Sequence, residues 1–218
     1  MSVVDIHASE EEQVAALKKW VGDYGKYIVF GLVLGLGGMY GFRAYEEYKV
    51  SVAQEASDQY EAVRKAIAFD DLSLAREQGQ AVIDSHPGSA YAVHTALALA
   101  NLEVDDAKPE AAVTQLKWIL SSSADDALKH VARLRLARVQ LFSQNYPETA
   151  MGTLKVKDEG QFTALYAELR GDILVEQGNR AAAREAYQAA LDAWTTDMGT
   201  PLYLKMKLDD LAGSTSAS

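Results

Sequence analysis

From Tyr27 to Phe42 the chain reads YIVFGLVLGLGGMYGF, sixteen residues without a charge between Lys26 and Arg43. As a helix this stretch covers ~24 Å, against ~30 Å for the hydrocarbon core of a bilayer. The flanks make up the difference. Lys26 and Arg43 can extend their charged ends outward, and Tyr24, Tyr27, Tyr40, Tyr45 and Tyr48 sit where interfacial aromatics are favoured. Ile28, Val29, Phe30, Leu32, Val33, Leu34, Leu36 and Phe42 together favour insertion by about 2.4 to 5 kcal/mol. A single central charge would cost ~3 kcal/mol, and there is none. A helix buried in a soluble core is the weaker alternative.

A cleaved signal peptide fits less well than a retained anchor. Twenty-six residues precede the apolar run, and they carry Asp5, Glu10, Glu11, Glu12 and Asp23 against Lys18, Lys19 and Lys26. That is not a short basic leader, and Phe42-Arg43-Ala44-Tyr45 offers no small-residue cleavage pattern. Within about 20 residues of the span, three Lys/Arg lie on the amino-terminal side and two, Arg43 and Lys49, on the other. The excess orients the arm to the cytoplasm and sends the longer carboxyl-terminal part across. The expected organisation is an amphipathic arm over 1–23, an anchor over 24–45, a helical domain over 46–212 and a disordered tail over 213–218. Ser9-Glu10-Glu11-Glu12 is a capping-box pattern at the head of the arm.

Glycines give the anchor a possible packing face. Gly31 and Gly35 form one small-xxx-small pair, Gly37 and Gly41 a second, and Gly31, Gly35 and Gly38 share one helical face. Small residues in that spacing let a second membrane helix approach closely. They do not form a phosphate loop, because no Lys-Ser/Thr follows and no strand precedes.

The rest of the chain is acidic. From Arg43 onward it holds 18 Lys/Arg and 26 Asp/Glu, a net charge of −8 within the whole chain's −10. Nucleic acid and anionic lipid are therefore poor partners, since both need clustered cations. With no cysteine, disulfides, thiol chemistry and cysteine-bound metals are excluded. Strand alternation is nearly absent. Helical patterns recur instead, broken at Phe69–Asp71, His86–Gly88, Asp105-Asp106, Ser121–Asp126, Asn145–Pro147, Lys157–Gly160, Gly178-Asn179 and Gly199–Pro201. About nine helices are expected.

These helices repeat. Leu169 to Leu191 places a small residue at Gly171, a turn at Gly178-Asn179, then Ala183, Tyr187 and Ala190 on one face. This unit resembles a tetratricopeptide repeat, in which small residues let two helices cross closely and an aromatic fills the gap to the next pair. Ala100, Ala112, Leu116 and Ile119 keep the same offsets. Ala137 opens another unit, one residue out of phase by Leu154, and a degenerate one begins near Val63 with Ala75, Gly79, Val82 and Pro87. Ala100, Ala137 and Gly171 are spaced by 37 and 34 residues, against the ~34 of such repeats. The expected fold is all-α, a single amino-terminal transmembrane helix followed by a tetratricopeptide-repeat-like α-solenoid.

No catalytic constellation assembles. The histidines are His7, His86, His94 and His130, without metal-ligand spacing, and no G-x-S-x-G or Walker sequence is present. His94 is expected to pack its helix and His130 to sit on a half-exposed face. The pairs Asp70-Asp71, Asp105-Asp106, Asp125-Asp126 and Asp209-Asp210 suit helix caps better than hydrolytic pairs. No enzyme activity, metal or cofactor is expected. Arg135 and Arg138 share a face and could hold a partner's carboxylates, although ion pairing with neighbouring helices is the simpler account.

A short arm, a Gly-rich anchor and an acidic repeat domain together resemble the YfgM family, the ancillary subunits of the bacterial SecYEG translocon. The likeness runs from about Glu11 to Leu211. It is strongest at Val14–Lys18 with Gly25-Lys26, at Gly41-Phe42-Arg43, at Leu134–Gln140 and at Leu169–Asp172. The resemblance implies an inner-membrane protein with a periplasmic domain and no known active site. It also implies association with SecYEG and with PpiD, a membrane-anchored prolyl-isomerase-like chaperone, to receive secreted chains as they emerge unfolded. The alternative function is an envelope-organising scaffold whose repeats bind a fixed envelope protein.

Overall fold

The computed structural model describes residues 10–143, 145–195, 199 and 201–213, and these contain helices and no strand. The all-α expectation holds. The expected cap at Ser9, His7 and the tail beyond Gly213 lie outside the described residues.

The chain divides into two compact units, residues 1–54 and 55–218. The first is built on α1 (Glu10–Ala68), which runs unbroken through the apolar stretch. Nothing in that unit covers the stretch: the large apolar side chains from Tyr27 to Phe42 are 47% to 66% exposed. A monomer in water rarely leaves so long an apolar surface uncovered. Lys26 Nζ lies 5.0 Å from the Tyr27 ring and Lys49 Nζ 5.6 Å from the Tyr45 ring, cation–aromatic pairs placed at the two ends of the stretch. α1 is the one helix among the described residues long and apolar enough to cross a membrane.

The second unit begins at Glu55, and the first fully buried side chain after the apolar stretch is that of Ala56. Its helices are the last turns of α1, α2 (Leu72–Ser85), α3 (Ala90–Asp105), α4 (Pro109–Ser121), α5 (Asp126–Arg138), α6 (Pro147–Thr153), α7 (Thr163–Glu176), α8 (Arg180–Asp192) and α9 (Leu202–Gly213). Each break follows the punctuation of the sequence. Asp71, Ser89, Asp125 and Asn179 cap α2, α3, α5 and α8, accepting from the backbone N–H three residues on at 2.7 to 3.2 Å. Pro109 and Pro147 open α4 and α6, where a missing N–H costs nothing. Gly178, at φ +76°, closes α7 in a left-handed conformation suited to glycine.

The helices stack as pairs. Ala66, Ala75 and Leu102 join α1 to α2 and α3. Ile83, Leu99, Leu116, Ile119 and Leu136 fill the space between α2 and α5. Leu134, Leu154, Tyr166, Leu169 and Ile173 continue it to α7, and Ala183, Tyr187, Ala190, Leu204 and Leu211 seal it against α9. Each cluster shares helices with the next, the one-dimensional packing of a solenoid.

The third unit carries a π turn over Val139–Ser143 at the end of α5. A π turn takes up one extra residue per turn, which accounts for the slippage between Ala137 and Leu154 in the sequence. The bulge leaves the Gln140 side chain buried, and its Oε1 accepts from Thr153 Oγ1 at 2.7 Å.

Candidate functional site

The repeat positions lie at the crossings between helices. Ala100, Ala112, Ala137, Ala183 and Ala190 are at most 2% exposed. Gly171 faces Tyr187 so closely that an added Cβ would overlap the ring, and a Cβ on Gly79 would stand 2.8 Å from Leu99 Cδ1. Small residues are required there by contact, whatever their helix propensity.

Tyr187 does more than fill space. Its hydroxyl donates to Asp172 at 2.7 Å, and Lys207 Nζ donates to Asp172 at 2.6 Å and to Glu168 at 2.7 Å. This network ties α9 onto α7 and α8. Burial, then the Asp172 hydrogen bond and the nearby carboxylate charges, push the Tyr187 phenol well above its ordinary 10.0. Burial alone would lower Lys207, but Asp172 and Glu168 outweigh it and hold the ammonium above its usual 10.5. Both groups therefore contribute stability that is fully present below about pH 10 and is lost as pH rises through their raised values. Denaturant unfolding between pH 8 and 11 should give a flat midpoint to about pH 10 and a falling one above it. Tyr187→Phe should remove part of that fall.

One member in each of three acidic pairs acts as a cap or an ion-pair partner. Asp71 and Asp125 cap helices as expected. Asp106, at the carboxyl end of α3, meets an unfavourable helix dipole and is held by cations instead. Lys108 at 2.8 Å, then Arg76 at 2.5 Å, draw its carboxyl below the ordinary range. Arg76 also binds the 8% exposed Glu103 carboxylate at 2.8 Å.

Arg135 and Arg138 are half-buried on α5. Arg135 donates to Asn101 Oδ1 at 3.2 Å, and burial followed by the Arg138 charge lowers its pKa. Neither arginine has an ion pair among the described residues, so the simpler account of them finds no carboxylate. His94 departs from expectation: it is exposed, 6.3 Å ring to ring from Tyr60, because α3 turns that face outward. His130 is half-buried as expected, stacked on Phe162 at 5.1 Å with Nδ1 2.8 Å from the Tyr166 hydroxyl.

Gly31, Gly35 and Gly38 in α1 have open space where a Cβ would lie. No group of His, Asp or Glu among the described residues could hold a metal. One cleft of about 500 Å3, between α5 and the loop before α7, gathers Lys129, His130, Arg133, Lys155 and Lys157. Sequence reading missed it, because its two halves are separated in the chain. The local signals were Lys129 and Arg133 one helical turn apart and Lys155 and Lys157 on either side of Val156.

A tetratricopeptide repeat-like domain family matches residues 18–213. The ancillary SecYEG translocon subunit of Escherichia coli is 30% identical over 213 residues, 96% of this chain and 100% of its own length. Its counterpart in Haemophilus influenzae is 30% identical over 205 residues, 93% and 97% of the two chains. The chain belongs to the family of ancillary SecYEG translocon subunits. The protein of that name from Neisseria gonorrhoeae is 29% identical across 94% of this chain and 98% of its own. Ancillary translocon subunits are a non-enzymatic kind of family. In this member the likeness takes in both the anchor helix and the helix pairs, so the chain is a single-pass membrane protein carrying a repeat domain.

Proposed function

We propose that this chain is a non-catalytic, membrane-anchored interaction module of the Sec translocon, helping periplasmic chaperones receive exported proteins. The observation that carries this is the near full-length likeness to ancillary SecYEG subunits, anchor and repeats together. The arm stays in the cytoplasm and the repeats face the periplasm, in keeping with the three-to-two excess of Lys/Arg on the amino-terminal side. The domains follow that order: arm to residue 23, anchor over 24–45, repeats to 212 and a short tail. The repeat surface engages a PpiD-like prolyl-isomerase chaperone and emerging chains, since stacked pairs offer extended surface without a deep pocket. Arg135 and Arg138, without a carboxylate of their own, contribute to that surface. Gly31, Gly35 and Gly38 seat a translocon or chaperone helix against the anchor.

Purification from mild detergent should recover translocon subunits with the protein, and recovery of the free protein alone would sink the proposal. Gly31→Leu with Gly35→Leu should cut that recovery while leaving the protein in the membrane. Undiminished recovery would remove the glycines from the contact.

A further inference from the structure

The second unit is acidic, yet one cleft in it reverses the sign. The cleft lies between the first two turns of α5 and the loop from α6 to α7, and holds about 500 Å3. Lys129 and Arg133 line one wall, Lys155 and Lys157 the other, against the carboxylates of Asp126 and Asp158. Of these two acids, Asp158 is engaged by its own loop, where Oδ1 accepts from Gly160 N at 2.9 Å. Elsewhere in the unit Arg76, Lys108, Arg170 and Lys207 are paired with carboxylates. Among the described residues no ion pair involves Lys129, Arg133, Lys155 or Lys157.

The floor of this cleft is held in place. His130 stacks on Phe162 and meets the Tyr166 hydroxyl, fixing α5 against α7, and Tyr166 is fully buried. Val156, half-buried between the two loop lysines, supplies an apolar contact. Four cations against two carboxylates leave the cleft with a net positive charge, which an anionic ligand would offset.

We propose that this cleft binds an acidic peptide segment of a partner protein, its carboxylates pairing with Lys129, Arg133, Lys155 and Lys157. The proposal rests on the reading of the unit as a protein-interaction module and names the chemistry that it selects. The volume admits about three residues, enough for two spaced carboxylates and one apolar side chain over Val156. A long polyanion is disfavoured, because the surrounding net charge of −8 repels it beyond the cleft.

The test uses the full chain in detergent and a fluorescein-labelled, end-blocked octapeptide alternating Glu with Leu and Gly. Fluorescence anisotropy should show saturable binding that weakens with salt, and the Gln-for-Glu peptide should bind roughly tenfold more weakly or worse. Lys129→Glu with Lys155→Glu and Lys157→Glu should weaken the acidic peptide by at least about tenfold. The charge-matched control Lys65→Glu, Lys117→Glu, Lys205→Glu, at exposed sites outside the cleft, should change binding less than about twofold. Equal binding of the two peptides, equal effects of the two triple variants, or full displacement by inorganic phosphate at matched ionic strength would overturn the proposal. The last result would mark a phosphate site instead. Translocon recovery with the unaltered protein keeps the two readings separate. Recovery without peptide binding overturns the cleft alone, while peptide binding without recovery overturns the translocon placement and leaves the cleft.

Discussion

Gly171→Val should lower the unfolding free energy of the helical unit by about 3 kcal/mol, the upper part of the range for overpacking a closed core. The position lies inside α7, where replacing glycine in an open helix would gain up to about 1 kcal/mol in propensity. Contact decides the sign. A Cβ at 171 overlaps the Tyr187 ring, which is 3% exposed and tied to Asp172 by its hydroxyl, so the ring has nowhere to retreat. Even Gly171→Ala should destabilise, by about 1 kcal/mol or more. Gly152, in α6 with open space around it, is the control: Gly152→Ala should be neutral or stabilising. Tyr187→Leu, which empties the space in front of Gly171, should make a second substitution at 171 cheaper than it is alone, a coupling of the kind contacting residues give. Denaturant unfolding of all five variants, followed by tryptophan fluorescence, is the measurement. A wild-type midpoint for Gly171→Val would mean that α7 and α8 do not cross at this residue.

Val33→Arg together with Leu34→Arg should release the protein from the membrane. Each central arginine costs ~3 kcal/mol of insertion free energy, so the pair exceeds the ~2.4 to 5 kcal/mol contributed by the strong hydrophobes of the stretch. Fractionation should move most of the protein from the membrane pellet to the carbonate-extractable or soluble pool. A single arginine should give partial release, because it cancels only part of the driving force. Retention of the double variant in the membrane would show that something other than this stretch holds the protein there.

Helix boundaries were legible because they depend on local chemistry. Asp71, Ser89, Asp125 and Asn179 precede their helices as caps, Pro109 and Pro147 sit at first-turn positions, and Gly178 follows α7. The repeat was legible because Gly171 and Tyr187 must keep a constant offset to meet. What was not legible lies where the outcome depends on a distant element. Where the compact unit starts, at Glu55, depends on which helices pack back onto α1, since residues 46–54 continue the helix but have almost nothing to pack against. His94 went outward because a helix surrounded by apolar neighbours has little periodicity from which to read a face.

From the sequence alone one can read an apolar helix flanked by cations and aromatics, the positions of the breaks, and the phase in which small and aromatic residues recur. These features rest on interactions within one turn of helix or on transfer between water and lipid, neither of which requires knowing what lies across the fold. Tertiary structure decided how side chains distant in the chain combine. Lys129 and Arg133 meet Lys155 and Lys157 only because α5 and the loop before α7 enclose one cleft, and Lys207 reaches Glu168 and Asp172 only because α9 folds back over α7. Charge acts through space and sequence distance does not limit it, so a cationic cleft within an acidic domain became visible only once the helix pairs were stacked.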